Sequence, residues 1–519
     1  MKKNIIKLAI ITSISLLSVS CLNDLETDPK YEITLENLLI KDPNAIEGLL
    51  SKMYSNFALS STKGPGDSDI DGANAGESPF IRGLINLNDF TADDMKNRWG
   101  DGGLDPLTTS SGWTDANKFF KYVYDRIYYI IPQTTNLIKI VNSDNVNVAN
   151  KEQVTSELRF LRALAYYYQI DFFGKGALVT TENYGTTTPL PESSRKELFN
   201  YVESELLDIE SKLPDTNGYG RANKSVARML LAKLYLNAEV YTGSARYTDC
   251  AVYLNKIFGA GYQLETNFHK NFRADNNTSK EIIFPLIADS NVSQSYGNTT
   301  YIINGSLSTA TMVLSDYSAA EGWTGHRATK AWYGLFATNA AALQASTDVR
   351  AKDFWTTGHN WEMNDYKEWT DGYPSIKYSN KATDGSGINV SFSPTDFPMF
   401  RLADAYLMYA ECVLRGGSPV AGDALEYVNK VRVRSGASVI SSNQLTLDFI
   451  LNERGRELNL EGHRRSDLIR FGKFTGGSYI WPWKGGIAAG TSIPSTYNLF
   501  PIPSTALQAN PNLKQNPGY

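Results

Sequence analysis

The chain has little of what most enzyme chemistry needs. It holds three cysteines and four histidines in 519 residues. Three cysteines cannot build a disulfide framework. The histidines, His269, His326, His359 and His463, stand at no metal-ligand spacing, which argues against a zinc centre. Neither sign of charge dominates, since 50 Lys plus Arg face 55 Asp plus Glu for a net charge of −5. A protein that tracks phosphates needs a concentrated positive field, so no nucleic-acid partner is expected. General disorder needs low hydrophobicity and high net charge, and 42% hydrophobic residues at this charge do not fit it. There is no Gly-x-Ser-x-Gly elbow and no glycine loop of the phosphate-cradling kind. What the chain has instead is aromatic side chains: 30 Tyr, 22 Phe and 9 Trp.

Long apolar runs are also lacking. The longest candidate, residues 8–17, is about half the roughly 20 residues that a membrane span needs. Lys2, Lys3 and Lys7 lie in front of it, and Leu17-Ser-Val-Ser-Cys21 closes it. This pattern reads as a signal peptide over residues 1–20. The small residues before Cys21 resemble a bacterial lipobox, in which the cysteine is acylated and becomes the mature N-terminus. Each buried CH₂ of an acyl chain adds about 0.8 kcal/mol, so a multiply acylated Cys21 would hold the protein to a membrane. Cys250 and Cys412 lie in apolar helical patterns and are expected to be buried thiols.

Periodicity predicts a mainly α protein. Residues 151–173 give the clearest helix, with Val154, Leu158, Leu161, Ala165 and Tyr168 on one face and Gly174 as its stop. Residues 122–140 are helical in pattern, and Pro132 predicts a kink or break. Helical stretches at 198–213, 225–240 and 247–257 follow, and 401–414 with 422–433 repeat the helix–turn–helix layout. Each pair spans about the 34 residues of a tetratricopeptide unit. The helical scaffold is placed at residues 30–60, 115–260 and 399–475 of a single domain covering 21–519. Residues 61–114 and 261–398 are rich in Gly, Asn, Thr, Tyr and Trp and read as a loop-rich half with short strands, where binding residues collect.

Two charge clusters invite chemistry. Asp67-Ser-Asp-Ile-Asp-Gly72 opens like a calcium loop, but its twelfth position is Ser78 and no helix pattern flanks it, so it reads as a turn. Glu453, Arg454, Arg456, Glu457, Glu461, Arg464, Arg465 and Asp467 could contain a glycosidase carboxylate pair. Their spacing favours ion pairs along a helix that lock it to the scaffold, with His463 structural among them.

Three longer motifs carry a resemblance. They are Arg159-Phe-Leu-Arg-Ala-Leu-Ala-Tyr-Tyr-Tyr with Asp171-Phe-Phe-Gly-Lys, then Phe400-Arg-Leu-Ala-Asp-Ala-Tyr-Leu-Met-Tyr-Ala-Glu, then the run from Asn452 to Gly472. In this order they resemble the signatures of the SusD/RagB family. The resemblance implies a tetratricopeptide-like scaffold with a loop-rich binding half. It implies a non-catalytic, lipid-anchored glycan-binding protein of the outer membrane of Bacteroidota, exposed at the cell surface. Asp24, Glu26 and Asp28, close behind Cys21, are similar to the surface-export signal of such lipoproteins. The implied partner is a SusC-like TonB-dependent transporter, and no cofactor is required. Glu77-Ser-Pro-Phe-Ile-Arg82, Gln294 to Tyr301, Gly322-Trp323 and Trp481-Pro-Trp are similar to segments of starch-binding members. On that likeness Trp99, Tyr296 and Trp323 form an aromatic platform and Arg82 hydrogen-bonds the sugar. The loop with Asp69, Asp71 and Asn74 flanks it, and Asp275, Asn277 and Asp396 fall near a calcium site.

The residue types suit that role. A sugar ring has a C–H face that stacks on a flat aromatic ring and excludes water. Trp and Tyr have two χ angles, so little entropy is lost on binding. Rings set in an arc match a curved α-1,4-glucan better than a straight chain. The neighbours of Trp99 (Asn97, Arg98, Gly100, Asp101), Trp323 (Glu321, Gly322, Thr324) and Tyr296 (Gly297, Asn298) are small or polar, which favours exposed rings. Trp332, Trp355, Trp361, Trp369, Trp481 and Trp483 are expected to pack inside. The expected ligand is starch or malto-oligosaccharide. Another glycan in the same role, a glycoside hydrolase and a lid that binds only a transporter are the competing readings.

Overall fold

The computed structural model describes residues 34–417 and 423–519. The signal peptide, Cys21 and the acidic residues behind it lie outside the described residues, as does Pro419 of the turn after Gly416 and Gly417. The protein is mainly α. Its principal helices, in chain order, are α1 (Ala45–Ser55), α2 (Phe80–Ile85), α3 (Lys118–Val141), α4 (Lys151–Phe172), α5 (Arg195–Glu210), α6 (Lys224–Leu236), α7 (Tyr247–Phe258), α8 (Thr299–Ser306), α9 (Leu402–Leu414), α10 (Ala424–Arg434), α11 (Leu447–Leu458) and α12 (Arg464–Arg470). Among the described residues, no helix is long and apolar enough to cross a membrane.

The scaffold is a succession of packed neighbours. α3 packs on α4, α4 on α5, α5 on α6 and α6 on α7; α7 then meets α9, which packs on α10 and α11. This is the tetratricopeptide-like layout of helix pairs. Local chemistry sets the helix ends. Ser194 and Glu197 form a capping box at the start of α5. Asn223 and Asp423 cap α6 and α10 with side-chain oxygens. Gly174 turns the chain after α4 in the left-handed region, at φ 77°. Pro132 does not break α3, which runs unbroken past it. Residues on both sides of the proline, Ile127, Ile130, Ile131, Thr134 and Thr135, are buried, so tertiary packing outweighs the missing hydrogen bond.

Two excursions leave this scaffold. Residues 56–117 contain α2, continued by a π-turn at Asn86–Phe90, and the strand β1 (Met95–Asn97). The absence of a clear period predicts loop here, and the structure differs. Every residue from Phe80 to Phe90 is buried, and Asn86, Asn88 and Asp89 interrupt the apolar spacing. Residues 259–401 form the second excursion, with β2 (Ile282–Leu286), β3 (His326–Ala328), β4 (Phe397–Arg401) and short helices. β2 and β4 pair antiparallel at its two ends, which closes it like a loop at its neck. β1 and β3 pair antiparallel, with Met95 opposite Ala328 and Asn97 opposite His326, and so tie one excursion to the other.

The charged residues of the third motif are buried apart from half-buried Arg456, but they pair mostly with other segments. Arg401 on β4 bonds Glu281, Glu457 and Glu461 at 2.6–2.9 Å. Arg350 reaches Glu453 and Glu457, Arg464 reaches Asp93, and Arg454 bridges Asp404 and Asp467. Within α11 and α12 only Glu453–Arg456 and Asp467–Arg470 pair along the helix. The expected locking holds, while its direction is across the fold. Burial pushes the His463 imidazole down to about 3, so it stays neutral beside Lys233. Cys250 and Cys412 are buried free thiols.

Candidate functional site

The site is built where the β1–β3 ribbon ends. Past Asn97 and His326 the chains stay together for one more step, Arg98 N–H donating to Gly325 O at 3.1 Å. Trp99 and Trp323 therefore emerge side by side. The Trp99 indole N–H donates to the Trp323 carbonyl at 2.9 Å. Gly325 makes this possible, because a Cβ there would stand 2.5 Å from the Trp99 indole. Residues 323–325 are hydrogen-bonded along the end of α8, with Trp323 N–H on Asn304 O, Thr324 N–H on Leu307 O and Gly325 N–H on Gly305 O. Thr324 sits at φ 54°, a left-handed conformation that costs a β-branched residue about 1–3 kcal/mol. The strain is held between the two tryptophans.

Tyr296 comes from the other end of α8, two residues before its Asn298 cap. Its ring centroid lies 6.3 Å from that of Trp323, and the planes meet at 43°. Trp323 lies 6.3 Å from Trp99 at 55°. The three rings thus form one continuous row, Trp99–Trp323–Tyr296, that turns at each step. Trp99 and Trp323 are half-buried with their inner edges on the core, and Tyr296 is 39% exposed. Glu321 accepts the Trp323 indole N–H at 2.9 Å and so fixes that ring.

Arg82, on α2, lies beneath this row. Its guanidinium sits 4.5 Å from the Tyr301 ring and 5.7 Å from the Trp99 ring. One Nη donates to Gly76 O at 3.1 Å and the other lies 3.5 Å from Asp101 Oδ2. At 7% exposure, Arg82 supports the row and anchors the Gly76 loop more than it offers free donors. Asn74 is exposed, and its Oδ1 accepts from Gly76 and Glu77 N–H. A Cβ at Gly76 would lie 3.4 Å from both Asn74 and Tyr296, so this loop abuts the row. Asp71 is exposed. Asp69 departs from the expected sugar contact, because its carboxylate is turned inward, paired with Lys52 and 3.9 Å from Arg126.

The calcium expectation finds no support. Asp275 is paired with Lys270 at 2.5 Å and accepts Thr383 N–H and O–H at 2.9 Å. Asp396 accepts Ala288 N–H at 2.8 Å and the Tyr219 hydroxyl. Burial pushes the Asp396 carboxyl up to about 6. Asn277 is exposed, and Asn276 is the asparagine that bonds Asp396. Among the described residues, no group of three His, Cys, Asp or Glu is placed to hold a metal ion. The residues present do not fit calcium.

Two members of the site escaped the sequence reading. Glu321 was seen only as a polar neighbour, and Tyr301 was a motif letter. The signal for Tyr301 was its i+5 spacing from Tyr296 on the same segment, which gives no hint that it lies under Arg82. Trp332, Trp369 and Trp481 are buried as expected, while Trp355, Trp361 and Trp483 are half-buried.

The sequence model of the SusD family matches residues 355–519. The chain is 32% identical to the Starch-binding protein SusD of Bacteroides thetaiotaomicron, over 100% of this chain and 99% of that protein. It is 25% identical to the SusD-like protein P25 of Formosa agariphila, over 96% of this chain and 97% of that protein. Among solved structures, a laminarin binding SusD-like protein superposes with a TM-score of 0.70 at 19% identity, covering 92% of this chain and 99% of that one. At that identity the likeness concerns the fold alone.

Proposed function

This chain belongs to the SusD family, and on that premise we propose that it captures α-glucan, as starch or malto-oligosaccharide, at the cell surface without cleaving it. The observation that carries this reading is the row Trp99–Trp323–Tyr296, whose successive planes turn by 55° and 43°. A ligand that lies flat on all three rings must itself curve. An α-1,4-glucan does so without strain, and a straight β-1,4 chain does not. Sugar faces stack on the rings, while Asn74, Asp71 and the Asp101 edge of Arg82 present polar atoms to the hydroxyl rim. Each exposed ring contributes about 0.5–1.5 kcal/mol. After association costs this supports affinities of about micromolar to millimolar, which permits release.

The role is capture and transfer. Acylation of Cys21 would hold the protein on the outer membrane, and a SusC-like TonB-dependent transporter would receive the glycan. Two carboxylates beside the row serve as supports, Glu321 for the Trp323 indole and Asp101 for Arg82, which favours the non-catalytic reading. A glycosidase needs two carboxyl groups free to act on opposite sides of one bond.

The test is a glycan panel in native affinity gels. The protein should be retarded by amylopectin, and Trp323→Ala should abolish most of that retardation. Retardation by laminarin and not by amylopectin would remove the α-glucan assignment. Release of reducing ends from amylopectin by the pure protein would overturn the non-catalytic reading. Cys21→Ala should abolish lipid labelling in cells.

A further inference from the structure

The aromatic row does not stop at Tyr296. Phe392 lies beyond it, with ring centroids 4.9 Å apart and planes at 58°. Phe392 is half-buried. Trp99 and Trp323 rest their inner edges on the hydrophobic core, whereas half-buried Phe392 is not among the described side chains packed against it. Core packing therefore does not account for an apolar ring at this position. Water should be a poor neighbour for it, and the surface beside the row gives it another use.

The backbone around Phe392 is pinned on both sides to the elements that carry the platform. Before it, Val390 N–H donates to Ser318 O at 3.1 Å and Val390 O accepts Ala320 N–H at 3.0 Å, just upstream of Trp323. Asn304 of α8 donates to Ser391 O at 3.4 Å. After it, Ser393 N–H donates to Thr300 Oγ1 at 2.9 Å, and Thr395 O accepts the Thr299 hydroxyl at 2.6 Å. Phe392 is thus held in fixed register with Tyr296 and Trp323, which both lean on α8. A pre-positioned ring costs little entropy to use. Asn389 and Ser391, both exposed, flank it with polar groups.

We propose that Phe392 is a fourth ring of the platform and makes the site select for longer glucan chains. The row reads Trp99–Trp323–Tyr296–Phe392, with each ring plane inclined to the one before it. Its outer end has no hydroxyl or indole N–H, so it can contribute stacking only. A chain too short to cover the three inner rings and reach further gains nothing from it. A longer chain that continues along the arc buries the Phe392 face as well. This inference rests on the α-glucan reading above.

Calorimetric titration of the full protein with maltotriose and with maltoheptaose tests it. Phe392→Ala should weaken maltoheptaose binding about three- to tenfold and leave maltotriose binding unchanged. Phe392→Tyr should restore the preference for the longer chain. Its thermal melt should match that of the wild type, since the ring is not packed against the core. Equal weakening for both oligosaccharides would make Phe392 a prop for Tyr296 and overturn the proposal. Unchanged maltoheptaose binding would overturn it too, while leaving the three-ring site standing. If the wild-type protein binds neither sugar, the α-glucan reading itself fails, and the fourth ring with it.

Discussion

Gly325 gives the sharpest test of how the platform is held. Its backbone is not in the left-handed region, so alanine is conformationally allowed and only space decides. The new Cβ would stand 2.5–2.7 Å from three atoms of the Trp99 indole. Ordinary carbon contact begins near 3.5 Å, so the ring must retreat by about 1 Å. That retreat breaks the 2.9 Å hydrogen bond from the indole to Trp323 O, which contributes about 1 kcal/mol. It also takes one ring out of line with its neighbours, a loss of about 0.5–1.5 kcal/mol of stacking on a ligand. Gly325→Ala should therefore weaken amylopectin binding about three- to tenfold and lower stability by about 1–3 kcal/mol from overpacking. The measurements are calorimetric affinity and a urea melt. Gly100→Ala is the matched control, because a Cβ beside Trp99 on that side meets nothing within 4 Å. Full affinity in Gly325→Ala would show that the position of Trp99 does not matter to the ligand, and the argument for a shared row would fail.

Three other outcomes follow from the interior. Arg401→Met should cost about 3–5 kcal/mol in a urea melt, because it leaves Glu281, Glu457 and Glu461 buried and short of a partner. Burial, then the charges of Asp89 and Asp93, holds the Asp94 carboxyl far above its usual range, and burial pushes Asp89 up to about 7. The folded pair keeps a proton that the unfolded chain releases near pH 4, so its stabilisation is full below that pH and is lost as pH rises towards 7. Asp94→Asn mimics the protonated form, so its melting temperature relative to wild type should climb between pH 5 and pH 8; a constant difference would refute the shared proton. EDTA should leave the thermal melt unchanged, since Asp275 and Asp396 are committed to Lys270, Thr383, Ala288 and Tyr219. A fall in melting temperature with EDTA would restore a structural ion.

The scaffold was legible because its long helices carry apolar residues at sustained three- and four-residue spacing. In α4, α6 and α7 that spacing runs over several turns, although nearly all of α6 and the second half of α4 are buried, and their ends fall within a few residues of the expected ones. The stretch from Phe80 to Phe90 was not legible, because it is a short helix followed by a π-turn whose Asn86, Asn88 and Asp89 interrupt the apolar spacing. The three long motifs turned out to be joints of the scaffold. Asp171 of the first accepts Ser466 of the third, and Asp404 of the second pairs with Arg454 of the third. The site is different. Its residues sit 224 positions apart along the chain, and periodicity carries no information on such a meeting. Flanking small and polar residues favour loop rings at Trp99, Tyr296 and Trp323, but it was the family resemblance that singled these three out. Neither was enough to reveal that Arg82 and Asp69 are turned towards the protein itself, because a charge has the same letter whether it faces solvent or a partner.

The three-residue pairing of β1 with β3 has a wider bearing. It is the seam through which one half of the aromatic row is aligned to the other. A change of length on one side of that seam would slide Trp99 past Trp323 and spoil both. Diversification of such a surface is thus steered into places the seam does not govern, the Asn74 loop and the rim carrying Asn389 and Ser391. Swapping those two borders between relatives, with the seam left intact, is the route by which one frame could be retuned to a different polymer.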